Sequence, residues 1–371
     1  MGESVDRDRT DRARAPRIVD VACLADVSKA TAARALSGSD LVTEATRLKV
    51  LQAAESLNYR MNGLARAMSA GRSRTIGLVI ADISNSFFDR ATRAIIDTAA
   101  RHDYQVLVIN TDDDLRAEVQ AVRVLSEKRV DGIIVVPSSP DTFDHLFVGG
   151  KPVSPLVLLD RRMPNVPVGT VTTDDYSSAV EAVRLFASRG HSRMGMLVNS
   201  ADSHEASANG ANGAVSTIHD RVSGFTKGLK EYGLPFEPAW IGYTPHVHDD
   251  AVRAAKQILS LDPRPTAILT TNADAALAVI DACNEMHLAI GEEVSLISFD
   301  DSPWARVFRP AITVVDRPVY ELGEAAVKAL LVQIDSGDMH ARSVEMQNHL
   351  IDRESVRYIG PPIAPSLFPS R

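Results

Sequence analysis

Two groups of residues in this 371-residue chain have types and spacings suited to chemistry. The first is basic. Residues 28–37 read as a helix with Lys29, Ala30, Ala33, Arg34 and Ser37 on one face and Val27, Ala32, Ala35 and Leu36 on the other. An arginine so placed can fork onto the O6 and N7 of a guanine, and a lysine can reach a base or a phosphate. The plainer alternative is a solvated basic face on a three-helix bundle. The second group lies at the ends of β-rich runs: Asp82-Ile83-Ser84-Asn85, Asn110-Thr111-Asp112, Asp160-Arg161-Arg162, Thr271-Asn272 and Asp300-Asp301. Carboxylates and amides gathered in this way can exchange several hydrogen bonds with a polyol.

Other chemistries find little support. There is no Walker loop and no G-x-G-x-x-G, G-x-S-x-G or H-E-x-x-H motif, so neither an enzyme nor a bound cofactor is expected. His246 and His248 form an H-x-H pair without an evident third ligand, so no metal is expected there. His191 precedes a strand and reads as structural. Cys23 and Cys283 are too far apart in sequence to suggest a zinc site or a disulfide framework.

The elements that must position these groups divide at about residue 75. Residues 1–16 contain nothing that could form a core, and disorder is expected there. Helical stretches follow at Val19–Ala25, Ser28–Ser37 and Glu44–Leu57, with Ser28 and Thr43 placed as N-caps. A fourth helical patch, Asn62–Ala70, ends at Gly71. After Arg74, short β-rich runs (76–80, 105–110, 132–137, 156–160, 193–199, 267–271, 294–300 and 312–315) alternate with helical segments such as Leu115–Lys128, Tyr176–Arg189 and Ala275–Leu288. That alternation implies parallel sheets, and about ten strands imply two α/β lobes rather than one sheet. Ligands in such folds bind beyond the carboxyl ends of the strands. Residues 200–217 are rich in Asn, Gly, Ala and Ser and read as a long loop, and residues 361–371 as a Pro-rich tail.

Charge follows the same division. Residues 1–75 carry 13 Lys/Arg against 9 Asp/Glu, whereas the remainder carries 27 against 39. A basic head on an acidic body suits a DNA module joined to a sensor. No apolar run reaches the roughly 18 residues of a membrane span, and the charged first residues do not resemble an export signal, so a cytoplasmic protein is expected.

Specific motifs sharpen this. Residues 17–70 resemble the N-terminal module of LacI/GalR-type repressors, with D-V-A-x-x-A-x-V-S-x-x-T-x-x-R-x-L-x-G at 20–38 and N-x-x-A-R-x-M at 62–68. The family's sensor follows in register: I-G-L-V-I-x-D-I-S-N-x-F-F at 76–88, K-R-V-D-G-I-I at 128–134, L-L-D-R at 158–161, V-S-L-I-S-F-D-D at 294–301 and R-E-S at 353–355. The resemblance implies an α/β fold class. A helix-turn-helix domain (17–60) and a hinge (61–74) precede a two-lobed, periplasmic-binding-protein-like core (75–360). The lobes are expected at about 75–174 with 304–334, and 175–303 with 335–360.

It also implies roles. Ser28, Lys29, Ala30, Thr31 and Arg34 would face operator DNA. Asn62, Ala65, Arg66 and Met68 would form a hinge helix, with Met68 as an apolar wedge in the minor groove. Asp82, Asn85, Phe87, Phe88, Arg161, Asp174, Arg221, His246, Asn272 and Asp300 would surround a small-molecule effector, a sugar or sugar derivative. The implied protein is a homodimer reading pseudo-palindromic double-stranded DNA, with no membrane partner. A solute-binding transport receptor or a regulator answering to a nucleobase or nucleoside are the alternatives. Some positions depart from the family: Asp26 for a turn glycine, Ala33 for a serine, Met61 for a proline, and Ala273 for an aspartate, with Asp274 one position later.

Overall fold

The computed structural model describes residues 16–37, 39, 41–59, 72–164, 166–200, 214–339 and 342–366. The chain divides into two units, residues 1–74 and 75–371.

In the first unit, helices α1 (Ile18–Leu24), α2 (Lys29–Leu36) and α3 (Glu44–Ser56) enclose Val21, Ala22, Ala25, Ala32, Ala35, Val50, Ala53 and Ala54. Both expected caps form. Ser28 Oγ accepts the Thr31 N–H at 3.1 Å, and Thr43 Oγ1 accepts the Thr46 N–H at 3.4 Å. Between α1 and α2 the chain turns through Asp26 at φ 52°, a left-handed conformation that a short polar side chain tolerates at some cost. The helical patch at 62–70, with Asn62, Ala65, Arg66 and Met68, lies outside the described residues. So do residues 201–213 of the expected loop.

The second unit has two α/β lobes. In order along the chain come β1 (Thr75–Ile80), α4 (Ser86–Arg101), β2 (Gln105–Asn110), α5 (Leu115–Glu127), β3 (Gly132–Val135), a small hairpin of β4 (Phe147–Val148) and β5 (Lys151–Pro152), β6 (Leu156–Leu159) and β7 (Gly169–Thr173). Then follow α6 (Asp175–Ser188), β8 (Met194–Asn199), α7 (Ser216–Glu231), β9 (Ile241–Thr244), α8 (His248–Leu259), β10 (Ala267–Thr270), α9 (Ala273–Glu285), β11 (Ser295–Phe299), α10 (Pro303–Val307) and β12 (Thr313–Asp316). The chain ends with α11 (Val319–Ser336), β13 (Val344–Met346) and β14 (His349–Ile351).

The first sheet runs β13-β7-β6-β3-β1-β2 and is parallel throughout, with Ile76 paired to both Val106 and Gly132. The second runs β14-β12-β11-β10-β8-β9, parallel except for the β12–β14 pair. Central strands such as Gly132–Val135 and Leu156–Leu159 are buried on both faces, which is why they read as unbroken apolar runs.

The lobe boundaries differ from the expectation. Residues 304–316 belong to the second lobe, because β12 extends its sheet beside β11, pairing Thr313 with Ile297. Residues 335–346 return to the first, where β13 pairs Val344 with Val171. The chain therefore crosses between lobes near residues 174, 317 and 347.

His191 illustrates a structural histidine, as expected. It is fully buried in the second lobe, with Nε2 donating to the Arg357 carbonyl at 3.1 Å and Nδ1 2.8 Å from Thr266 Oγ1. Burial lowers its pKa from 6.5 to about 4. The unfolded chain therefore takes up this proton near pH 6.5 and the folded chain only near 4. Stability from His191 is complete above pH 6.5 and declines as the pH falls to 4, by about 3 kcal/mol at most. Urea titrations across that window will show the decline, and a His191→Gln variant will flatten it. An unchanged slope in the variant would contradict the assignment.

Candidate functional site

On the first unit, Lys29, Ala30 and Arg34 are exposed on α2, while Ala32 and Ala35 on its other side are buried. Ala33 and Ser37, expected on the same face, are half-buried. Ser28 and Thr31 are tied into the cap, their hydroxyls 2.8 Å apart, so the outward groups without a capping duty are Lys29, Ala30 and Arg34.

On the second unit, a cleft opens between the carboxyl ends of the two sheets. Asp82, Asn85, Phe87, Phe88, Arg161, Arg221, His246, Asn272 and Asp300 all line it. Asp174 does not. It caps α6, accepting the Ser177 N–H at 2.9 Å, and its neighbour Asp175 is the carboxylate that reaches the cleft's Arg221 from behind. The reason is local: α6 begins at Asp175, which makes Asp174 the N-cap and leaves Asp175 facing Arg221. Two of the cleft amides also cap helices. Asn85 Oδ1 accepts the Phe87 N–H at 2.9 Å, and Asn272 Oδ1 accepts the Ala275 N–H at 2.8 Å. Each keeps its NH2 group for other uses.

Three buried guanidiniums organise the interior. Arg161 bonds Asp113 through both terminal nitrogens and the Pro137 carbonyl at 2.9 Å. Burial alone would raise the Asp113 carboxyl, but Arg161 and His246 bring it well below the usual carboxylate range. Arg221 reaches Asp175 at 2.6 Å, bonds the Thr271 carbonyl, and lies 4.4 Å from the centre of the Phe299 ring. Arg317, at the second lobe crossing, donates to Asp160 Oδ1 at 2.6 Å and to Asp300 Oδ1 at 2.7 Å. Its guanidinium sits 3.5 Å over the Phe87 ring. Burial opposes its charge, yet Asp300, Asp160 and Asp175 outweigh burial and raise its pKa above the ordinary guanidinium value.

Asp160 follows β6 in the first lobe and Asp300 follows β11 in the second, with φ of 67° and 70°. Left-handed backbone at a non-glycine residue is sparsely populated, and here it aims two carboxylates from opposite lobes at one cation. The cavity in the cleft is about 60 Å³.

Sequence reasoning missed Asp113 and Arg317 as cleft residues and Asp175 as the buried partner of Arg221, and named Asp160 only as part of a polar strand end. All four stand one to three residues beyond a strand's carboxyl end, the same signal that found Asp82 and Asp300. Among the described residues, no group of three His, Cys, Asp or Glu side chains could hold a metal ion. No helix among them is long and apolar enough to cross a membrane.

Comparison with known proteins agrees with both units. Residues 17–62 match the model for bacterial regulatory proteins of the lacI family, and residues 183–356 the model for a periplasmic binding protein-like domain. The chain is 29% identical over 340 residues to catabolite control protein A of Priestia megaterium, covering 92% of this chain and 99% of that protein. It is 28% identical over 340 residues to the HTH-type transcriptional repressor PurR of Photobacterium profundum, covering 92% and 98%. Its fold resembles the lac repressor dimer bound to operator and the anti-inducer ONPF, with a TM-score of 0.78 and 22% identity over 93% of this chain and 100% of that one.

Proposed function

The chain belongs to the LacI family of bacterial regulatory proteins, and from that premise we propose that it is a sequence-specific transcriptional repressor whose operator affinity is set by a small molecule bound between its two core lobes. The observation that carries the reading is one chain with both an outward Lys29-Ala30-Arg34 face on a helix-turn-helix and an interlobe cleft lined by polar strand ends. The first is suited to base edges in a major groove. The second is suited to a polar ligand of sugar type. As a homodimer it would present two heads to a pseudo-palindromic site, in the cytoplasm where that DNA is found.

Control requires that the effector prefer one arrangement of the lobes, since equal affinity for both would shift nothing. The bridges from Arg317 to Asp160 and Asp300 are a contact that opening must break, and so a source of such a preference. The test is a thermal-shift screen of the full chain against sugars, polyols and nucleosides, followed by operator titrations with each compound that raises the melting temperature. A cleft ligand will change the operator Kd, and operator will change the ligand Kd by the same factor. Ligands that bind without moving operator affinity would contradict the coupling.

A further inference from the structure

We propose that the rim of the cleft is a subsite for a primary ammonium group, so that the effector is a polyhydroxylated compound carrying a protonated amine. This rests on the effector-cleft reading above and narrows it.

The starting point is an imbalance of charge. Four carboxylates in and behind the cleft have a cation: Asp113 has Arg161, Asp175 has Arg221, and Asp160 and Asp300 share Arg317. Three guanidiniums thus face four carboxylates. At the rim stand two more carboxylates, Asp82 from the first lobe and Asp274 from the first turn of α9 in the second. Neither has a Lys or Arg partner among the described residues. Asp82 accepts only from its own loop, the Ser84 N–H at 2.8 Å and hydroxyl at 2.6 Å. The two border one cavity of about 310 Å³, together with Ser84, Asn199, His246 and His248. The Asp274 carboxyl is pushed up by burial first and by Asp82 next, with His246 and His248 opposing and Asp300 adding to the rise.

Two acids alone would make no site. The independent observation is Asn199, at the end of β8. It is 5% exposed, it lines both the inner cavity and the rim cavity, and its Oδ1 has no hydrogen-bond partner among the described residues. A buried acceptor left unpaired is costly and uncommon, and marks where a donor belongs. An ammonium carries three N–H donors and one positive charge. The acceptors available to it are Asp82, Asp274 and Asn199.

The rim histidines are already engaged. His246 Nε2 lies 3.5 Å from Asp113, and His248 Nε2 lies 2.8 Å from Asp281. A metal ion is a poorer occupant, since no three His, Cys, Asp or Glu side chains among the described residues converge on one point. A phosphate ester is poorer still, because it would meet two carboxylates that have no cation.

The experiment measures binding to the full chain by titration calorimetry at pH 7. The probes are glucosamine, galactosamine and mannosamine, each beside its parent hexose and its N-acetyl derivative. At least one amine will bind tenfold or more tighter than both its neutral counterparts, and Asp274→Asn and Asp82→Asn will each erode that preference severalfold. Equal or tighter binding of the parent hexose overturns the proposal, as does a preference that survives in both variants. The effector cleft itself would stand in those cases. Silence from all nine sugars overturns the proposal too. The cleft reading would then be decided separately, by whether any other compound class moves both the melting temperature and operator affinity.

Discussion

An Arg317→Leu variant will lose about 3–5 kcal/mol of stability in the core, the cost of leaving buried charge without its partner. Arg317, Asp160 and Asp300 are each at least 95% buried at the side chain, so water cannot take over the role of the guanidinium. Asp175 suffers less, because Arg221 still holds it at 2.6 Å. The loss should be read as the cost of stranding two carboxylates, not as the net worth of the bridges. Hence a triple variant, Arg317→Leu with Asp160→Asn and Asp300→Asn, will recover much of it. Urea unfolding followed by circular dichroism checks both. A loss below about 1 kcal/mol would mean that the bridges behave as solvent-screened surface pairs, and that Arg317 is not the buried counter-charge of both carboxylates.

Arg34→Ala will have the largest effect on DNA recognition. A guanidinium forked onto guanine discriminates by about 1–3 kcal/mol, or about 5- to 150-fold in each half-site. The affinity for operator should therefore fall towards that for unrelated DNA, while affinity for unrelated DNA changes little. The salt dependence of operator binding should stay nearly the same, because phosphate contacts are retained. The opposite pattern is equally readable. Uniform weakening on all sequences, with the salt slope reduced by about one, would make Arg34 a phosphate contact instead. Arg34 is exposed in the last turn of α2, and replacing it leaves the core formed by Ala32 and Ala35 intact, so lost binding would not reflect unfolding.

The head was legible because its signals are local. Ser28 and Thr43 announce α2 and α3 by their own hydroxyls, and the 3.6-residue spacing separates Ala32 and Ala35 from Lys29 and Arg34. The cleft was legible where a polar residue follows an apolar strand, as with Asp82, Asn272 and Asp300. It was obscured where a strand's end was misjudged. β12 runs one residue beyond Val315, and Arg317 follows at once, so the most connected cation of the cleft went unread. Asp174 and Asp175 could not be separated by type, since which one caps and which one turns inward depends on where α6 begins. The lobe crossings were hidden for a different reason. β13 and β14 are three residues each with no fully buried residue, and their partners Val171–Thr173 and Val314–Asp316 are distant in sequence.

As a repressor of this kind, the chain is expected to read a particular DNA sequence with two heads and to release or hold it according to its cleft. The most direct measurement is selection by the full chain from a pool of random duplexes, with the enriched sequences then titrated at 50 and 200 mM salt. The account predicts enrichment of a pseudo-palindrome, contacted through both half-sites, whose affinity falls steeply with salt. Recovery of unenriched sequence, or of DNA bound without salt dependence, would contradict it.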